Sequence, residues 1–284
     1  LRERGYDGAN PWHDHANSAL GARGEILSGW NMRHAALPAR VREEDSETPY
    51  MTRRAIEFIE ESGDRPWVLH LSYIKPHWPY VAPAPYHAMY SKDDVQAVKR
   101  SPRELEHAHP VLQGYRRTEV SQSFSRDEVR ETVIPTYMGL IKQVDDQLGV
   151  LFDYLRRSGR DRDTMIIFSS DHGDYLGDHY MGEKELFHDC VAKVPLIIRL
   201  PGDGVPRGVV ESRLVEAIDL VPTILDAYKA DIPGHILEGR SLLPLLQGNA
   251  PAEWRNAVYS ENDYAFRDCV REPLNRRATV DINF

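Results

Sequence analysis

Apolar positions recur along this chain in two periods. Between 134 and 158, Tyr137, Leu140, Ile141, Val144, Leu148, Leu151, Phe152 and Leu155 repeat at spacings of 3, 4 and 7, and Gly159 follows. That is one face of a helix closed by a glycine. A second helix is predicted from Thr48-Pro49, with Ala55, Ile56, Phe58 and Ile59 inside, Glu57, Glu60 and Glu61 outside, and Ser62-Gly63 as its stop. Short continuous apolar runs read as strands: Trp67 to Tyr73, Ile166 to Ser170, and Pro195 to Leu200, the last ended by Pro201-Gly202. Glu211 to Ala217 and Ala257 to Ser260 resemble two more strands, Leu220 to Tyr228 a helix, and Gly239 to Gly248 a short helical turn.

Other stretches lack a period. Residues 7–48 read as irregular, and the tail from Arg271 to Phe284 gives no element. Residues 81–130 are Pro-rich and then strongly charged, and read as a long surface excursion with short helices at most. Leu1 to Asp7 shows no initiator Met and no signal-peptide pattern; it reads as a helix end running into a Gly turn, so the chain is expected to begin in mid-fold.

Helix, turn, strand and then a polar loop is the doubly wound α/β pattern. A chain of 284 residues, 41% hydrophobic and 28% charged, is long enough for one large domain of that class. The net charge of −9, with no basic cluster, argues against a nucleic-acid partner. No apolar run approaches the ~20 residues that span a bilayer, so no membrane partner is expected. Cys190 and Cys269 are the only cysteines, which excludes a disulfide framework and fits a reducing, cytoplasmic setting.

The candidate chemistry gathers at strand ends. The Ile166 run ends in Ser169-Ser170-Asp171-His172-Gly173. In open α/β sheets ligands sit beyond the carboxyl ends of strands. An oxygen donor beside an imidazole suits a divalent metal, so Asp171 and His172 are read as ligands. The Trp67 run leads into Ile74-Lys75-Pro76-His77-Trp78-Pro79-Tyr80, where two prolines flank His77. A rigid loop suits a catalytic imidazole, and a structural turn histidine is the bland alternative. Lys184 is read as reaching the same centre to stabilise negative charge on a substrate oxygen, against the default of a solvated lysine. Trp12-His13-Asp14-His15 offers two more imidazoles, more simply a loop around Trp12. Tyr80, Tyr86, His87 and Tyr90 read as packing before substrate contact, and Asp145 and Asp146 as solvated.

Four segments together resemble the sulfatase branch of the alkaline phosphatase superfamily. They are Lys75-Pro76-His77-Trp78-Pro79-Tyr80; Ser170-Asp171-His172-Gly173-Asp174-Tyr175-Leu176-Gly177-Asp178-His179; Lys184 with Val194-Pro195-Leu196-Ile197; and Asp219-Leu220-Val221-Pro222-Thr223-Ile224-Leu225 with Gly239-Arg240-Ser241-Leu242. Within that branch the chain looks most like the phosphonate monoester hydrolase and phosphodiesterase group, with choline-sulfatase-like enzymes next. The resemblance implies an alkaline-phosphatase-like three-layer sandwich with a mixed, mostly parallel central sheet, incomplete at the N-terminus. Residues 1–284 would form one partial domain carrying the 81–130 excursion. It implies a metal-dependent hydrolase of small phosphonate monoesters, phosphodiesters or sulfate esters. One divalent ion (Mn, Ca or Mg) would be held in part by Asp171 and His172. His77 and Lys184 would bind the substrate oxyanion and assist the leaving group. The family's nucleophile is a hydrated formylglycine made in a Cys/Ser-x-Pro-x-Arg motif.

The departures are as informative. Asp189-Cys190-Val191-Ala192-Lys193 and Asp268-Cys269-Val270-Arg271 lack that motif. The nucleophile and the first strand with its metal-binding carboxylates are therefore expected upstream of Leu1, and the chain alone is expected to bind metal weakly and turn over no ester. A sulfatase proper is the second enzymatic reading. A Thr-nucleophile transferase is disfavoured because its relatives carry transmembrane helices. A degenerate, non-catalytic relative is the third reading, weakened by the retention of His77, Asp171, His172 and Lys184. Self-association into a homo-oligomer through residues 81–130 is also expected.

Overall fold

The longest apolar repeat becomes the longest helix. The computed structural model describes residues 4–6 and 17–261. Described residues up to Ser158, together with Tyr175–Glu183, form one compact unit. Gly159–Asp174 and the described residues from Lys184 onward form a second.

In the first unit, β1 (Ser18–Leu20) and β2 (Ile26–Ser28) pair antiparallel with Ser18 opposite Ser28, a small ribbon inside the stretch expected to be irregular. α1 (Glu47–Ser62) follows the predicted bounds and buries Thr48, Thr52, Ala55, Ile59 and Ser62 along one face. Phe58, predicted on that face, is 39% exposed and meets the Trp67 ring edge-on at 6.4 Å. α2 (Pro110–Arg116) and α3 (Glu119–Phe124) are short; α4 (Asp127–Ser158) is 32 residues long.

α4 starts seven residues earlier than the apolar period predicts. Pro135 looks like a first-turn proline, yet it lies inside the helix. A proline there costs about 3 kcal/mol through its missing N–H and its clash with the previous turn. Packing overrides that cost: Arg130, Val133, Thr136, Leu140 and Gln143 are all buried. Gly139 is required, because a Cβ there would lie 2.1 Å from the Tyr86 carbonyl oxygen.

The core of this unit joins Ala35, Tyr80, Phe124 and Val133, with Trp78, Val120, Tyr137 and Leu176 packed around them. Tyr80 meets Phe124 edge-on at 5.9 Å. Residues 81–130 are thus not simply a surface excursion: Tyr86, Val111, Tyr115 and Phe124 are buried. Their apolar residues sit on short, separate turns, so no single period reveals them.

In the second unit, β3 (Ile166–Ser169) pairs antiparallel with β4 (Leu196–Arg199), Ile166 opposite Arg199. β3 was expected to be buried; Ile166, Ile167 and Phe168 are half-buried and Ser169 is exposed. Both described pairings are antiparallel. A parallel neighbour needs a crossover that returns the chain to the starting edge. Between β3 and β4 the only α-helix is α5 (Asp189–Ala192), a single turn.

α6 (Leu220–Ala227) and α7 (Leu243–Leu246) appear where predicted. Asp219 ties them together. Its carboxylate accepts from the amides of Arg240 (2.8 Å) and Glu216 (2.8 Å) and is gripped by the Arg255 guanidinium, with Nη2 at 2.7 Å. Burial pushes this carboxyl up, but Arg255 and the two amides hold it below the usual carboxylate range.

Three expected strands are not strands. Residues 67–73 alternate between half-buried and exposed, but they have no ladder partner among the described residues. Glu211 to Ala217 and Ala257 to Ser260 likewise lack ladders; Tyr259 is 86% exposed. Apolar β-formers supply propensity, and pairing has to come from elsewhere. Trp12 to His15, Cys269 and the Arg271 tail lie outside the described residues.

Candidate functional site

β3 delivers its polar loop as a tight turn. The Ser170 hydroxyl donates to the His172 carbonyl at 2.9 Å and to Asp171 Oδ1 at 3.3 Å. The His172 amide donates to the same Oδ1 at 2.9 Å. Gly173 closes the turn: its amide donates to the Val191 carbonyl at 2.9 Å, and a Cβ there would lie 1.9 Å from the Cys190 carbonyl oxygen. Only glycine lets the turn approach α5 so closely.

The turn fixes the His172 tautomer. Nδ1 lies 2.8 Å from the Gly173 carbonyl, which can only accept, so Nδ1 carries the proton. In the neutral ring Nε2 then presents its lone pair, 3.4 Å from Asp171 Oδ2. Lone pair and carboxylate repel, and either a cation between them or a proton on Nε2 relieves that repulsion. A backbone carbonyl orienting an imidazole in this way is the usual support of a metal-bound histidine. The Asp171 side chain is 83% exposed, so its second oxygen is open to solvent.

These two residues fit a divalent ion as two of its ligands. Among the described residues, no group of three or more His, Cys, Asp or Glu side chains is arranged to hold a metal. Among the described residues the site is therefore partial. Lys184 belongs to the same unit as the pair and is half-buried, one residue after Glu183, whose φ is +58°.

His77 lies in the first unit, on a loop anchored by core residues Tyr80 and Val81. Its amide donates to the Ile74 carbonyl at 3.0 Å, and its Nδ1 donates to the Trp78 carbonyl at 2.5 Å. Nε2 is the ring atom not engaged by the Trp78 carbonyl. Trp78 seats the loop by meeting Trp30 edge-on at 5.0 Å. Lys75 spans the loop from within, its ammonium donating to the Pro79 carbonyl at 2.6 Å and the His77 carbonyl at 3.3 Å. Burial pushes the Lys75 ammonium down to about 8, opposed by the Glu47 carboxylate.

Of the aromatic candidates, Tyr80 and Tyr86 are packing residues. The Tyr86 hydroxyl donates to Asp146 at 2.9 Å, and burial raises its pKa. Asp145 is exposed as expected, while Asp146 is partnered by Tyr86 and Lys142.

Two features escaped sequence reasoning. One is Lys75, visible only as a lysine before proline in an apolar setting. The other is a strap, Tyr175–Glu183, that lies in the first unit and carries Leu176, His179, Tyr180 and Glu183 at positive φ. It is pinned by Tyr115 Oη to the Gly182 carbonyl (2.8 Å), Arg116 Nε to the His179 carbonyl (3.0 Å) and Arg130 Nε to the Leu176 carbonyl (3.1 Å). Glu104 accepts from the His179 ring at 2.8 Å. These partners are separated by 46 to 75 residues, beyond any local motif.

The sequence matches the Sulfatase family over residues 1–230. It is 37% identical over 244 residues to the multifunctional alkaline phosphatase superfamily protein PehA of Trinickia caryophylli, covering 81% of this chain and 47% of that protein. It is 29% identical over 246 residues to the choline-sulfatase of Rhizobium meliloti (strain 1021), covering 81% and 46%. The solved phosphonate monoester hydrolase from Silicibacter pomeroyi superposes with a TM-score of 0.82 at 34% identity, over 93% of this chain and 52% of that one. The chain spans about half the length of these relatives.

Proposed function

The chain belongs to the sulfatase family and has an alkaline-phosphatase-like α/β fold, and from that premise we propose that it supplies part of the active site of a metal-dependent hydrolase of phosphonate monoesters or phosphodiesters. Asp171 and His172 would hold one divalent ion, which when bound neutralises substrate oxygens. His77, when Nε2 also carries a proton and the ring is an imidazolium, and Lys184 would hold the oxyanion and assist the leaving group. The formylglycine nucleophile is assigned to residues outside this chain. The observation that carries the reading is the 3.4 Å approach of His172 Nε2 to Asp171 Oδ2 with Nδ1 committed to a carbonyl. The 34% identity to a phosphonate monoester hydrolase supports the substrate class.

A sulfate ester is the second reading, supported by the likeness to choline-sulfatase. Both ester types present a tetrahedral oxyanion, so these four side chains serve either. The test has two arms. Mn²⁺ added to the purified chain should broaden the His172 ring resonances selectively, at weak affinity; no selective broadening sinks the metal reading. Aryl phosphonate and aryl sulfate esters offered to the 284-residue chain should both remain intact, and turnover of either would overturn the assignment of the nucleophile elsewhere. An open reading frame running upstream of Leu1 into a Cys-x-Pro-x-Arg motif would support the hydrolase. With such a frame expressed, the ratio of the two rates separates the substrate classes.

A further inference from the structure

We propose that Lys75 is a positioning residue for His77: by binding two carbonyls of the loop from inside, it fixes the backbone that holds the imidazole in one tautomer and orientation. The inference rests on the role given to His77 above, and its test reads the ring directly, without turnover.

The argument starts from what holds the ring. Nδ1 of His77 donates to the carbonyl of the next residue, Trp78, at 2.5 Å. That bond exists only while the Trp78 carbonyl points back at the ring, which is a property of the backbone between His77 and Pro79. Pro76 and Pro79 have no N–H to donate, so this stretch has few backbone bonds of its own. The two carbonyls flanking the Trp78 peptide, of His77 and Pro79, are both taken by one ammonium, at 3.3 Å and 2.6 Å. The Pro79 carbonyl also accepts from the Val81 amide at 3.0 Å, which continues the clasp into buried Tyr80 and Val81. Lys75 thus replaces the missing backbone ladder with a side chain.

The setting shows that this lysine is built in rather than solvated. Burial lowers its pKa to about 8, and the charged group that opposes the shift is Glu47, in the first turn of α1. Glu47 is in turn raised by burial and lowered by Lys75. An ammonium kept in a desolvated place is costly, and its hydrogen bonds to carbonyls are the compensation. Such an arrangement suits pre-organisation of a side chain on a rigid loop.

The test is ¹⁵N NMR of the His77 ring in the 284-residue chain, with Lys75→Met, Lys75→Gln and Lys75→Arg. In the wild type the two ring nitrogens should be well separated, Nδ1 protonated. Lys75→Met should collapse that separation toward the averaged value of an unrestrained imidazole, Lys75→Gln should collapse it partly, and Lys75→Arg should restore it. Loss of melting temperature in Lys75→Met with unchanged His77 nitrogens would overturn the proposal, since it leaves Lys75 a purely structural role. If Lys75→Met does not fold, the wild type decides. Between about pH 6 and about pH 10 the ¹³C carbonyl resonances of His77 and Pro79 should move with the Lys75 ammonium in one transition. An ammonium that titrates while both carbonyls stay still would also overturn it. Failure of the hydrolase reading would leave these spectra as described, so the two failures are distinguishable.

Discussion

The His77 loop and the Asp171–His172 turn both present an imidazole whose Nδ1 is tied to a carbonyl, yet they are built in opposite ways. The His77 loop runs directly into the core through Trp78, Pro79, Tyr80 and Val81, and a charged side chain is drawn inside to hold it. The Asp171–His172 turn is held by Ser170, its own amides and one backbone bond to α5, and its carboxylate is 83% exposed. A group that meets a neutral or transient partner must be aimed in advance by packing. A carboxylate awaiting a cation needs only a fixed neighbour and open access, because the ion itself supplies the remaining order. Mutations should therefore cost stability at the first region and ligand affinity at the second.

The largest expected effect tests how deeply the His77 loop depends on the core. Phe124→Ala removes a fully buried ring packed edge-on against Tyr80. It should lower unfolding stability by about 4 kcal/mol in urea titrations. A change below about 1 kcal/mol would mean that residues 100–124 pack independently of the loop, and the contrast would lose its basis.

Lys75 gives the next effect, in pH rather than packing. Its pKa falls from 10.5 in the open chain to about 8 in the folded one. Between those values the unfolded state binds more protons, so the lysine's contribution to stability rises with pH across that window and is at its worst below about 8. The stability difference between wild type and Lys75→Met should therefore move in favour of the wild type by about 3 kcal/mol from pH 8 to pH 10.5. Because Tyr73 and other groups titrate in both proteins, only the difference is diagnostic. A flat difference would mean that the ammonium is solvated.

Gly173→Ala brings the second region under the same measurement. The added methyl would meet the Cys190 carbonyl at 1.9 Å, so either α5 or the turn has to shift. Overpacking of this kind costs about 2 kcal/mol, and the Gly173 amide bond to Val191 should be lost in hydrogen exchange. The backbone of the turn is thus stringent even though its side chains are not.

How much of this was legible follows from which signals are local. α1, α6 and α7 carry their own periodicity or stop signals, and they appear where the apolar pattern puts them. The start of α4 was missed because Pro135 obeys a first-turn rule that core packing at Val133 and Arg130 overrides. The strands were least legible: Trp67–Tyr73 has the residues of a strand, but ladder pairing is decided by a partner its own sequence does not encode. Asp171, His172, His77 and Lys184 could be singled out because each lies in a short segment that resembles the sulfatase branch. Lys75 sat within one of those motifs unassigned, since its importance lies in two carbonyls rather than in its neighbours' identities. The strap contacts of Arg116, Arg130 and Tyr115 join residues 46 to 67 positions apart, so only the fold reveals them.

The smallest expected effect on stability is the sharpest test of the contrast. Asp171→Asn keeps an oxygen at Oδ1 to accept from the His172 amide and the Ser170 hydroxyl, and it removes only the charge. With the side chain 83% exposed, stability should change by less than about 0.5 kcal/mol. The carboxylate is also the only formal negative charge facing His172 Nε2 at 3.4 Å, among the contacts described for that ring. Its loss should weaken Mn²⁺ binding at least about tenfold, read as a shift in the concentration that broadens the His172 ring resonances. His77→Ala offers the reverse control, since it lies in the other region and should leave that midpoint unmoved. If Asp171→Asn instead unfolds the second unit, or binds Mn²⁺ as the wild type does, the turn is a structural corner and not the open half of a metal site.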